Sequence, residues 1–322
     1  QLLGISTILI ILLLVYEFLV KPSREKSFES LLASIDTTKI NRIVVYPSKE
    51  RGTQVTLTRE GNLWMVSNGK IKVMADQGSV SGILQDHAKI KVDMLAATSK
   101  EGWLEFGVDD SAGTRVQLFT GEKKILDVMV GNFKFSPQTR RAQSFLRLYD
   151  DEKVYGVDGY LSLWYNNTFN GYRNKIIWEG DKGSWDSLSF RYLTDTAFTL
   201  YKDTSGRWSI RGFEKDADSS AIDSYLNVVW GIRPQNYIDT NININQYSPQ
   251  YELTVYSRKN LKWTVKCYII PVSERDTLWC LTSTYDPSNI WNAKAEDKVL
   301  EKIFYPFSHF IKKKEESKPG KK

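Results

Sequence analysis

The chain is 322 residues long, 41% hydrophobic and 25% charged, enough apolar material for one large domain or two small ones. Much of the formal charge of +6 lies in the tail 312–322, which holds six lysines against Glu315 and Glu316. The body is near neutral, which excludes a nucleic-acid face built on spread basic residues, and its 13% aromatic content suits sheet faces and binding surfaces.

Residues 1–20 read as a transmembrane anchor. Positions 2–20 are apolar up to Val15 apart from Ser6 and Thr7, with Glu17 as their one charge. As a helix this stretch reaches roughly 28 Å, close to the hydrocarbon thickness of a bilayer. A cleaved secretory signal is the rival reading, but Tyr16, Glu17 and Phe18 stand where small residues belong. Residues 21–40 then form a polar linker and a short helix over 27–35, started by Ser27 as N-cap.

A first α+β module is expected over 41–154. Strands at 41–46, 54–58 and 63–66 are punctuated by Pro47 and by the turn residues Gly61 and Asn62. Asp76 and Ser79 cap a helix over 74–90 whose Val80, Ile83, Leu84, His87 and Ile90 recur at helical spacing. Strands at 116–119, 124–130 and 144–148 come next.

The pattern then recurs over 186–292, with strands at 188–192, 197–201 and 208–210, a helix capped by Asp218, and strands at 253–256, 263–270 and 277–282. Ile43 and Leu188, Trp64 and Trp208, Leu84 and Leu226, and Phe145 and Trp279 lie 145, 144, 142 and 134 residues apart. A slowly shrinking separation is what a duplicated unit with small loop deletions gives. The expected fold is therefore α+β: an N-terminal transmembrane helix, then two similar modules of mainly antiparallel sheet, each with a helix laid across it.

Between the modules, 155–185 read as an aromatic connecting segment. Tyr160, Trp164, Tyr165, Phe169 and Tyr172 alternate with asparagines, as a sugar- or peptide-binding surface requires, or as the apolar seam between two modules requires; the seam is the preferred reading. Residues 293–322 give a last helix over 293–313, with Pro306 inside it, and the lysine-rich tail.

The residues for chemistry are sparse. Two histidines, His87 and His309, leave little for a catalytic triad or a multi-histidine metal site, and no phosphate-cradling glycine motif stands at a strand-to-helix junction. The acidic groups Asp109-Asp110 and Asp150-Asp151-Glu152 precede turns, as ordinary surface carboxylates do. No cofactor, metal or catalytic residue is assigned. The only two cysteines, Cys267 and Cys280, fall opposite each other if Ile269 pairs with Leu278, so a hairpin disulfide is expected in an oxidising compartment.

In succession, Trp64, the Asp76-capped helix, Trp103-Leu104-Glu105-Phe106-Gly107-Val108-Asp109, Gly131 and Arg173-Asn174-Lys175-Ile176-Ile177 resemble the membrane-anchored domain-of-unknown-function family 4340. That family usually has a proline soon after Gly-Leu-Asp, where this chain continues Asp110-Ser111. The resemblance implies one span of the inner membrane, a duplicated periplasmic body, and association with gliding-type ABC transporters of Bacteroidota. It also implies O-glycosylation acceptors of the Asp-Thr type, with Thr37 foremost. The expected function is a non-enzymatic accessory subunit of an envelope complex; the alternative is a glycan- or peptide-binding protein or enzyme using 155–178.

Overall fold

The structure, a computed structural model, describes residues 35–195, 197–212, 217–258 and 262–312. The anchor at 1–20, nearly all of the 27–35 helix, and the tail beyond Lys312 lie outside the described residues. No helix of the described residues is long and apolar enough to cross a membrane. The described chain is mainly β, with strands in two antiparallel sheets and only a few helices. It divides into two compact units that meet in sequence at Arg173 and Asn174.

In the first unit, β1 (Arg42–Tyr46), rich in β-branched residues and ended by Pro47, is flanked by β2 (Val55–Glu60) and by β6 (Thr114–Thr120). β2 turns into β3 (Leu63–Ser67) through Gly61-Asn62, and Gly61 at φ 60 supplies the left-handed residue that a two-residue hairpin needs. β4 (Lys72–Met74) extends that edge. β7 (Lys123–Ser136), β8 (Arg141–Leu148), β9 (Val154–Asp158) and β5 (Val92–Ala97) complete the order β4-β3-β2-β1-β6-β7-β8-β9-β5.

Helix α1 (Gln77–Lys89) lies on one face of this sheet. Asp76 caps it by accepting from the Ser79 N–H at 2.9 Å, and Val80, Ile83 and His87 point into the core. The short helices α3 (Leu161–Tyr165) and α4 (Phe169–Tyr172) close the same core, burying Leu161, Tyr165, Phe169 and Tyr172 against the strands. The chain then returns to α1: Ala75 bridges Arg173, and the Asp76 N–H donates to the Tyr172 carbonyl at 2.8 Å. On the other face the described residues form a small cluster, where Trp103 and Phe106 of α2 (Trp103–Phe106) cover Val108, Met129, Phe145 and Val154.

The second unit repeats seven of these nine strands in the same order, with no counterpart of β4 or β5 among the described residues. Its order is β12-β11-β10-β13-β14-β15-β16, from β10 (Trp185–Tyr192), β11 (Phe198–Lys202), β12 (Trp208–Arg211), β13 (Tyr251–Ser257), β14 (Lys262–Pro271), β15 (Thr277–Ser283) and β16 (Trp291–Asn292). The pairing of Ile43 with Leu57 and Leu118 becomes that of Leu188 with Leu200 and Val255. Helix α5 (Ser219–Trp230), capped by Asp218, stands for α1, and Val229 takes the place of His87. Helix α6 (Val299–Ile303) and the 3-10 turn Phe307–Phe310 stand for α3 and α4. The return is repeated too: Ala217 bridges Ile311, and the Asp218 N–H donates to the Phe310 carbonyl at 2.9 Å. Asn174 anchors the start of this unit, its amide donating at 2.8 Å to the fully buried Asp286, whose carboxylate also accepts from Ser288 and Asn289.

Several expectations need correcting. The segment 155–185 is not a separate connector: its first strand joins the first sheet, its rings up to Tyr172 complete the first core, Trp178 and Trp185 belong to the second, and the boundary falls at Arg173. The helix expected over 293–313 is two short pieces, because Phe304 leaves helical geometry and Pro306 cannot continue it; Val299, Leu300, Ile303, Phe304 and Phe310 still pack on the second core. The start of the helix expected at Met74 is instead β4, since Asp76 caps only the residues on its C-terminal side.

Candidate functional site

The two sheets differ most on the face opposite the helix. Strand register places Tyr46, Arg115, Met129 and Arg147 in one row across β1, β6, β7 and β8. The equivalent row of the second unit is Arg191, Glu252, Lys266 and Thr282. There Glu252 meets Arg191 at 3.8 Å and Lys266 at 3.7 Å, long surface pairs of little energetic weight.

In the first unit that row is built of rings and guanidinium groups. The Arg115 Cζ lies 3.4 Å from the centre of the Tyr149 ring and 5.8 Å from that of Tyr46. Its Nε and Nη2 fork onto the Asp127 carboxylate at 2.9 and 2.8 Å, and Gln117 and Lys124 donate to the same group. The fork raises the Arg115 pKa; at Asp127 burial pushes upward, but its donors outweigh burial and hold the carboxyl below the usual range. Arg147 lies 3.7 Å from the Trp103 ring, so the order across the surface is Tyr46, Arg115, Tyr149, Arg147, Trp103. Cation–π contacts of this kind contribute about 0.5–2 kcal/mol each.

Arg147 also seats the Trp103–Asp109 turn. It is 2% exposed, and its guanidinium donates to the carbonyls of Val108 at 2.9 Å, Tyr149 at 2.8 Å and Leu148 at 3.3 Å. Burial lowers its pKa, opposed by Asp110 nearby. α2 ends on Gly107 at φ 64, where the Val108 N–H donates back to the Trp103 carbonyl at 3.0 Å. Gly131 is required because a Cβ there would overlap the Phe106 carbonyl oxygen. Beside this turn a hollow of about 320 Å³ is lined by Tyr46, Ser48, Arg51, Asp110, Arg115 and Tyr149, with Tyr46 36% and Tyr149 37% exposed. Half-exposed tyrosines beside fixed arginines are the residue types that dominate binding energy at protein interfaces. This face was passed over in the sequence; its one local signal is Arg147, a charge inside the apolar run Phe145-Leu146-Arg147-Leu148.

The five aromatic residues that the alternative reading makes a binding surface do not line a common groove. Tyr165, Phe169 and Tyr172 are core residues, and burial pushes both tyrosine phenols well above their ordinary value. The Tyr165 hydroxyl lies 2.9 Å from His87 Nε2, and the Tyr172 hydroxyl donates to the Trp164 carbonyl. Trp164 donates its indole N–H to Asp86 at 2.9 Å and lies against Gly82, where a Cβ would come 2.5 Å from the ring. Tyr160 alone faces outward, stacked on Phe133. Thr37 begins a 3-10 turn whose Asp36 side chain accepts from the Thr38 N–H.

The disulfide is corrected as well. Pro271 ends β14 opposite Thr277 and does not open the turn, so the register shifts by one residue: Cys267 faces Leu281, and Cys280 faces Tyr268. The cysteines therefore point to opposite faces, Cys267 into the helix-side core and Cys280 into the small cluster with Ile238 and Ile270. Both are free. Burial raises the Cys267 thiol to about 12 and the Cys280 thiol to about 11. An aromatic disulfide reagent at pH 8 is expected to titrate no thiol in the native chain and two in denaturant without reductant; one or none in denaturant contradicts this register.

No curated protein and no solved structure matches the chain. Trp64 packs in the first core, Asp76 caps α1, the Trp103–Asp109 turn and Gly131 interlock, and Arg173 and Asn174 join the two units in sequence. These residues lie within 64–251, more than half of the chain, which the family model described as a domain of unknown function, DUF4340, matches, and the chain belongs to that family.

Proposed function

We propose that this protein is a non-catalytic accessory subunit of a cell-envelope complex. The apolar stretch 2–20 anchors it in the inner membrane with its body in the periplasm, and the ring-and-guanidinium face of the first unit docks onto a gliding-type ABC transporter. The observation that carries the docking reading is the contrast between the copies: one row of a duplicated sheet is a solvated ion ladder in the second unit and a Tyr46-Arg115-Tyr149-Arg147-Trp103 stack in the first. The anchor, the compartment and the transporter rest on sequence composition and on the resemblance to membrane-anchored relatives.

The test is purification of the full-length chain from its native membrane. Membrane-spanning and ATP-binding transporter subunits are expected to co-purify, and Tyr46→Ala with Tyr149→Ala to reduce their recovery about tenfold or more, as two interface anchors of 1–2 kcal/mol or above would. Recovery of the chain without such subunits, or recovery unchanged in the double variant, overturns the reading.

A further inference from the structure

We propose that the second unit carries a phosphate-ester site in the cleft between α5 and the β11–β12 hairpin. The cleft, about 610 Å³, lies within the range of ligand-binding clefts; its floor is Trp208 and Leu226, and its rim includes Lys182, Lys202 and Arg207.

Its origin is visible by comparison with the first unit. By register Lys202 corresponds to Arg59 and Trp208 to Trp64, and the 3-10 turn Lys182–Ser184 corresponds to Thr37–Lys39. In both units the strand cation reaches the turn: Arg59 donates to the Thr38 carbonyl at 3.4 Å, and Lys202 to the Gly183 carbonyl at 3.2 Å. In the first unit Gln77 bridges Trp64 to the start of α1, donating to the Trp64 carbonyl and accepting from its N–H, both at 2.9 Å. The second unit has the shorter Ser219 at that place, and no described residue at the start of α5 bridges to Trp208 as Gln77 does to Trp64. It also has Lys182 for Thr37 and Arg207 for Leu63.

The charges are arranged for an anion. Arg207 is held 3.5 Å from Asp203. The two half-buried lysines have neutral acceptors instead: Lys182 donates to the Asn227 side-chain oxygen, while Lys202 donates to Gly183 and stands 5.1 Å from the centre of the Trp208 ring. Among the described lining residues the single carboxylate, Asp223, is exposed on α5. Two ammonium groups without a carboxylate partner among the described residues match a phosphate monoester, which carries about −1.5 to −2 charges at neutral pH and offers three acceptor oxygens. The ester arises either from a soluble metabolite or from a lipid headgroup, and the proposal is independent of the docking partner above.

The test uses the full chain in phosphatidylcholine discs, with glycerol 3-phosphate titrated calorimetrically and lysine reactivity read by amine acylation, Lys134 of the first unit serving as reference. Protection of Lys182 and Lys202 by glycerol 3-phosphate, with affinity falling about tenfold or more in Lys182→Gln/Lys202→Gln, supports a soluble ester, since two charge-assisted hydrogen bonds are lost. Protection only in discs that include phosphatidic acid, the lipid whose headgroup is a phosphate monoester, absent for glycerol 3-phosphate, assigns the site to a lipid headgroup. Unchanged lysine reactivity with both probes, or equal affinity in the double variant, overturns the proposal.

Discussion

Replacing Arg147 with alanine is expected to lower the stability of the first unit by about 3–5 kcal/mol, a large share of the 5–15 kcal/mol typical of a folded domain. The guanidinium supplies the donors for the Val108, Leu148 and Tyr149 carbonyls, and its stack on Trp103 holds α2 against the sheet. Alanine leaves those acceptors without their donor and opens a void beneath the indole. The loss comes from these groups and not from a stranded charge, because the partner Asp110 is 83% exposed and stays hydrated. Arg147→Met refills the space but not the hydrogen bonds, so an intermediate loss of about 1–3 kcal/mol is expected. Thr282 stands at the equivalent place in the second sheet, so the strand itself does not require arginine; the Trp103 turn does. Urea denaturation followed by circular dichroism is the measurement. An alanine variant within about 0.5 kcal/mol of wild type would show that the turn does not depend on this residue.

Acid should weaken the first unit through His87. Its ring is 1% exposed, Nε2 meets the Tyr165 hydroxyl, and Nδ1 has no partner among the described residues, so a second ring proton has no acceptor. Burial lowers its pKa from 6.5 to about 4. The unfolded chain therefore binds a proton as pH falls below about 6.5 while the native chain does not. The stability contributed by the neutral ring is complete above that value, declines as pH falls toward 4, and amounts to about 3 kcal/mol in total. The carboxylates held below their usual range, Asp109 and Asp127 among them, act at lower pH, which leaves the window from 4.5 to 6.5 to histidine. His87→Val copies the second unit, where Val229 fills the same place. It is expected to cost about 1–2 kcal/mol at pH 7.5 by leaving the Tyr165 hydroxyl without its partner, and to flatten the decline between pH 6.5 and 4.5. Parallel wild-type and variant curves through that window would place the acid sensitivity elsewhere, with His309 the only other histidine.

Much of the fold was legible because its signals are local. Asp76 and Asp218 mark the two helices, alternating β-branched and aromatic residues mark the strands, and the spacing of Trp64 and Trp208 marks the duplication. What failed depended on a single residue of register or on distance along the chain. Treating Pro271 as part of the turn slid β15 by one place, which made Cys280 appear to face Cys267 and matched Phe145 to Trp279, where register pairs it with Cys280. In the helical pattern from 293 to 313 Pro306 marked a kink, but nothing showed that the helix starts only at Val299 and ends at Ile303, with Phe304 out of helical geometry. Aromatic density drew attention to Tyr160, Trp164, Tyr165, Phe169 and Tyr172, three of which are core because α3 and α4 turn them inward. The open face escaped notice because Tyr46, Trp103, Arg115, Arg147 and Tyr149 are assembled only by pairing between distant strands.

The return of each unit onto the start of its own helix sets an order on synthesis. Asp76 waits for the Tyr172 carbonyl, ninety-six residues later, and Asp218 waits for that of Phe310. At ribosomal rates of about 5–20 residues per second, that delay is about 5–20 s per unit. Throughout it the nascent sheet lacks the rings that seal its core, an interval in which a holding chaperone would have apolar surface to grip. The first unit has its last closing residue, Arg173, before any strand of the second has been made, so the copies complete in succession and similar strands from the two halves have little opportunity to exchange.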